Sequence, residues 1–139
     1  MATTLYGDTV DIPSILSHVS VGVNDLDRAL AFYDVVLATV DAKRQHEVPG
    51  VAVAYGKYFP EFWVQRPLDG GTANPGNGIH FSFIAPSREA VHAFHEAALA
   101  AGAVDDGAPG PRPEYGDYYG CFVYDLDGHK IEASTVPGT

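Results

Sequence analysis

Two histidines in this chain head near-identical stretches, His18-Val19-Ser20-Val21 and His80-Phe81-Ser82-Phe83, spaced 62 residues apart. Imidazole titrates near neutral pH and, when neutral, is the commonest protein metal ligand, so these two residues carry the first chemistry worth weighing. One histidine at a strand start is ordinarily a hydrogen-bonded structural residue. Recurrence at equivalent positions argues for a shared role. The other histidines carry less: His92 and His95, with Glu96, lie at helical spacing, but the apolar stripe there runs through Val91, Phe94 and Ala98. His92 is therefore expected to face solvent and His95 to flank the stripe, while His46 in a polar stretch and His129 in a turn read as surface residues. The lone Cys121 excludes an intrachain disulfide and any multi-cysteine metal centre. It stands in the apolar run Gly120 to Tyr124 and is expected as a buried strand residue.

The elements that must position the histidines follow from the same repeat. Alternation around each histidine predicts a half-buried strand, with His18, Ser20 and Gly22 on one face and His80, Ser82 and Ile84 on the equivalent face. Asp25 and Ser87 are N-cap residues for the helices that follow. Leu26, Ala29, Leu30, Tyr33, Val36 and Leu37 keep helical spacing in the first half, as do Val91, Phe94, Ala98 and Ala101 in the second, which Gly102 ends. Farther on, Val53-Ala54-Tyr55-Gly56 aligns with Phe122-Val123-Tyr124-Asp125 at an offset of 69, and without a gap this sets Trp63 opposite Glu132. Asp127-Gly128 marks a hairpin turn, with Lys57 to Pro60 at the equivalent place. The larger offset reflects a longer loop, Asp105 to Gly116, in the second half. Each half thus reads as strand, helix and a short antiparallel meander: module 1 over about 14–66, a linker from Pro67 to Gly78, and module 2 over about 79–135, in one domain spanning 1–139.

Bulk properties narrow the classes. Hydrophobic residues make up 46% and charged residues 19% of the chain, a globular balance. The net charge of −10 with no basic cluster argues against nucleic-acid binding. No apolar run approaches the roughly 20 residues of a membrane span. Met1 to Asp11 lacks a basic start followed by an apolar stretch, so a cytoplasmic protein is expected.

The repeated histidine strand, the helix Asp25 to Tyr33, and the ending Phe122-Val123-Tyr124-Asp125-Leu126-Asp127-Gly128-His129-Lys130-Ile131-Glu132 together resemble the vicinal-oxygen-chelate superfamily, which includes glyoxalases, bleomycin-resistance proteins and extradiol dioxygenases. The resemblance, to a small single-domain bacterial-type member, covers residues 14 to 135. It implies an α+β fold of two tandem βαβββ modules whose mixed sheet curls into a cup around one site. It also implies metal ligands on the first and last strands of each module: His18 and His80, then Glu132, with Trp63 at the fourth position. Two imidazoles and a carboxylate form a facial triad suited to one divalent ion (Fe, Mn, Zn or Ni), leaving positions open for a chelating substrate. Indole cannot coordinate, which separates this chain from the glyoxalase I pattern. Gln65, two residues on and on the same face, would substitute only through a register shift that the gapless match opposes. Trp63 reads equally as a stacking wall of the cup or as a core residue.

The Gly/Pro-rich loop from Gly107 to Tyr119 is too proline-dense for a helix or central strand. In the resemblance it rims the cup. There Arg112 would hold a substrate carboxylate or phosphate, Glu114 would carry a proton, and Tyr115, Tyr118 or Tyr119 would hydrogen-bond a substrate oxygen, with Glu132 both ligand and catalytic carboxylate. The competing reading is a proline-stiffened surface loop over packed tyrosines. The activity implied is a metal-dependent lyase, isomerase or thiol-transfer reaction on a small oxygen-rich substrate, in a homodimer. The alternatives are an Fe(II) extradiol-type dioxygenase and a metal-free ligand-binding protein of the bleomycin-resistance kind.

Overall fold

A computed structural model describes residues 15–136. Met1 to Asp11, where a secretion signal would sit, and position 14, the expected start of module 1, lie outside the described residues. The element order is the expected repeat. Strand β1 (Val19–Gly22) leads into α1 (Leu26–Ala38) and the meander β2 (Lys43–Val48), β3 (Ala52–Gly56) and β4 (Phe62–Gln65). Strand β5 (His80–Ala85) then leads into α2 (Arg88–Ala100), β6 (Val104–Pro111), β7 (Tyr119–Tyr124) and β8 (Lys130–Thr135). The sheets have orders β1-β4-β3-β2 and β5-β8-β7-β6, each with one parallel pair, β1 with β4 and β5 with β8. The fold is thus α+β with two mixed four-stranded sheets.

Both helices start where their caps stand. The Asp25 carboxylate accepts from the Arg28 amide and the Ser87 hydroxyl from the Ala90 amide, satisfying N–H groups that the first turn leaves unpaired. Gly102 follows α2 at φ +105°, a backbone state that side-chain-bearing residues avoid. The helices pack on one face of their sheets and against each other. One apolar core draws on both modules: Phe62 meets Phe81 and Phe83 edge-on, at ring-centre distances of 5.7 and 5.1 Å. Cys121 is fully buried in this core, and burial pushes its thiol up to about 11, which makes it inert at neutral pH. Among the described residues no helix is long and apolar enough to cross a membrane.

The stretch expected as one loop, Gly107 to Tyr119, divides instead. Its first part extends β6 to Pro111, and a single 3-10 turn spans Pro113–Tyr115. Proline is tolerated because β6 is an edge strand, paired only with β7, and because its register breaks between Asp105 and Gly107 and again between Gly107 and Gly110. Asp105 to Gly116 is therefore half strand.

Candidate functional site

The site begins with the pairing register. On β1 and β4 Ser20 faces Trp63, and on β5 and β8 Ser82 faces Glu132. The two parallel pairs are thus in the same register, and Trp63 occupies in module 1 the place Glu132 holds in module 2. Trp63 and Gln65 are half-buried on the face away from Phe62 and Val64, and the Trp63 indole meets the His46 ring at 5.7 Å. His18 precedes β1, exposed, with the Ser17 hydroxyl 2.9 Å from its Nδ1.

In module 2 the same positions converge. Glu132 is only 3% exposed, yet one of its carboxylate oxygens lies 2.6 Å from His80 Nε2 and the other accepts from the Tyr118 hydroxyl at 2.5 Å. A buried carboxylate costs several kcal/mol unless it is paired, and here the pairing is an imidazole and a phenol at the edge of a cavity. Burial, and then the Glu132 carboxylate, push the Tyr118 hydroxyl above its ordinary range, so it remains a donor at neutral pH. The cavity measures about 640 Å³, and Arg112 and Tyr115 line it with His80, Tyr118 and Glu132.

Five expected site residues are therefore brought together. Glu114 is exposed on the 3-10 turn and does not line the cavity. His18, Trp63 and Gln65 sit on module 1, also outside its lining. Sequence reading missed Lys130 and Phe122, which do line it. Both were within reach of strand alternation, since Lys130 stands two residues before Glu132 and Phe122 faces Glu132 across the β7–β8 hairpin.

As a metal-binding pair, His80 and Glu132 fit: an imidazole nitrogen and a carboxylate oxygen converge, and the carboxylate's other oxygen is oriented by Tyr118. A second cluster, Asp125, Asp127 and His129, has donor atoms within 4.8 Å of one another, but they are engaged. Asp125 accepts from the amides of Asp127 and His129, from His129 Nδ1 and, at 2.5 Å, from the Tyr33 hydroxyl. Asp127 accepts from the Asn24 amide. His129, expected at the surface, is 3% exposed, because its ring turns inward to pair with Asp125. Burial works to raise the Asp125 carboxyl, but His129 and then Tyr33 outweigh it and hold the group below the usual carboxylate range. His92 and His95 are spent on Tyr119 and Asp105, pinning α2 to β7 and β6.

Residues 15–133 match the family model described as Glyoxalase/Bleomycin resistance protein/Dioxygenase superfamily. A crystal structure of a glyoxalase/bleomycin resistance protein from Albidiferax ferrireducens T118 is 35% identical, covers 88% of this chain and 100% of its own, and superposes with a TM-score of 0.81. Two more distant structures share the fold. The lactoylglutathione lyase of Agrobacterium tumefaciens is 21% identical with a TM-score of 0.61, over 90% of this chain and 96% of its own. The fosfomycin resistance protein FosX of Listeria monocytogenes is 21% identical with a TM-score of 0.64, over 90% and 95%. No curated protein matches the chain at comparable significance.

Proposed function

Because the chain belongs to the glyoxalase/bleomycin resistance protein/dioxygenase superfamily, we propose that it is a divalent-metal-dependent enzyme acting on a small oxygen-rich substrate. The observation that carries this reading is the buried Glu132 carboxylate, aimed at His80 and steadied by Tyr118 on a cavity edge. The fold is shared with a lactoylglutathione lyase and with the fosfomycin resistance protein FosX, which supports reading the cavity as a site for a small molecule. A bound divalent ion would supply Lewis acidity to a chelated substrate oxygen.

The protein's own groups do the rest. His80 and Glu132 would hold the ion, Tyr118 keeps the carboxylate oriented by donating its hydroxyl to it, and Arg112 and Tyr115 hold the substrate at the mouth. Glu114, exposed beside them, reaches the cavity as a proton carrier only if the 3-10 turn shifts. The second imidazole, His18, comes from module 1. We place it opposite the His80–Glu132 pair of another copy, so that His18 of the partner subunit completes each triad and Trp63 and Gln65 wall the cup. The protein is then a homodimer.

Elemental analysis of protein purified without chelator tests the reading. The wild type retains about one divalent ion per chain by this three-ligand scheme, and His80→Ala and Glu132→Gln lose it. His80 is exposed, so His80→Ala should keep its fold by circular dichroism. Full metal retention in folded His80→Ala would overturn the proposal.

A further inference from the structure

We propose that Lys130 and Arg112 form, over the ring of Phe122, a subsite for a multi-oxygen anion. The inference rests on the reading of His80 and Glu132 as the reactive pair, and it gives the substrate a carboxylate or phosphoryl-type group beside its chelating oxygens. In a chain of net charge −10 with only eight lysines and arginines, two of those cations line the cavity that holds Glu132. Lys130 faces His80 in the β5–β8 register, and by alternation its side chain shares the face of Glu132. Its ammonium lies 5.1 Å from the Phe122 ring centre, and the Arg112 guanidinium lies 5.4 Å from the same ring. Attraction to the ring face steadies both cations while leaving their hydrogen-bond donors available.

The guanidinium is also preorganised. It donates to the carbonyls of Ala108 and Pro111, at 2.6 and 3.2 Å. It also lies against Gly107 and Gly110, where an added Cβ would come within 3.2 Å of its nitrogens. Among the described residues no carboxylate forms an ion pair with Arg112. A fixed cation with free donors and no counter-ion takes carboxylate or phosphoryl oxygens at little cost in ordering. Lys130 does have a counter-ion, Asp106 at 3.2 Å, but that pair is partly solvent-exposed and weak enough for a bound anion to displace.

The test is titration of the metal-free protein, by amide NMR, with pyruvate and with methylphosphonate. Saturable shifts at β8 and the β6–β7 turn are expected, and the tighter probe distinguishes a carboxylate from a phosphoryl preference. Lys130→Gln and Arg112→Gln should each weaken binding by about tenfold, the loss of one charged hydrogen bond, whereas Lys130→Arg should restore it. Metal content should be unchanged in Lys130→Gln, which separates this subsite from the ligand pair. Absence of saturable binding of both probes, or binding that is undiminished in folded Lys130→Gln and Arg112→Gln, overturns the proposal. If His80→Ala keeps its metal while anion binding behaves as expected, the metal reading falls and the subsite stands.

Discussion

Glu132 concentrates the argument at the scale of single residues. Its two oxygens are divided between His80 and Tyr118, and the second partner orients what the first would share with an ion. Tyr118→Phe removes only that orienting hydroxyl, so metal affinity should fall roughly tenfold, as losses of a ligand's hydrogen-bond partner do. Competition against a metal-responsive dye measures it, and unchanged affinity would assign Tyr118 to packing alone. His80, Glu132, Tyr118, Arg112 and Tyr115 were all legible in the sequence. His129 was not, because a turn position normally means solvent and nothing local announces that its partner Asp125 is buried against Tyr33, 92 residues away along the chain.

At the scale of elements, the caps and turns make each module reproducible from its own sequence. Asp25→Ala and Ser87→Ala should each cost about 1 kcal/mol, the ordinary value of an N-cap, read by urea denaturation. Gly56→Ala should cost more, about 2–3 kcal/mol, since an added Cβ overlaps the Phe59 carbonyl oxygen and the turn after β3 must open. An equal or smaller loss than at the caps would show that this turn relaxes freely. The place of the last strands was also legible, since Trp63 and Glu132 each face a serine. The match is not gapless, however: Ala54 pairs with Trp63 whereas Phe122, not Val123, pairs with Glu132, so the second hairpin carries one extra residue. Strand β6 was misread because its prolines and glycines speak for a loop, and only the lack of a further neighbour on that edge lets them stand in a strand.

For the whole molecule, the decisive contact joins the modules. Tyr33 on α1 donates to Asp125 in the second module's last hairpin, and His129 pairs with the same carboxylate. Because the folded-state value of Asp125 is depressed, its stabilisation is fully present above the unfolded aspartate value of about 3.9 and is lost as pH falls through the lower folded value. Asp125→Asn should therefore cost about 3 kcal/mol at neutral pH, the scale of a broken buried pair, and should flatten the loss of stability in that acid window. Denaturation curves from pH 7 into that window check both parts, and an unaltered acid limb would mean other carboxylates dominate. The dimer has its own test. If His18 and Glu132 of one site come from different copies, mixing His18→Ala with Glu132→Gln protein should restore up to about a quarter of wild-type metal content through one intact site per mixed dimer. No recovery after verified subunit exchange would place both ligands in one chain.

The sequence by itself determined the duplicated βαβββ plan, the helix starts and stops, the strand faces, and the equivalence of Trp63 with Glu132. Each of these is read from periodicity, caps and turns within a few residues, or from the match of one half of the chain to the other. Only the tertiary structure decided that His80, Glu132 and Tyr118 meet at one cavity while His18 stands elsewhere, that Lys130 and Arg112 share the ring of Phe122, and that Asp125 is buried between the modules. Those outcomes turn on how two sheets and two helices pack against each other, and long-range packing leaves no local periodicity to read.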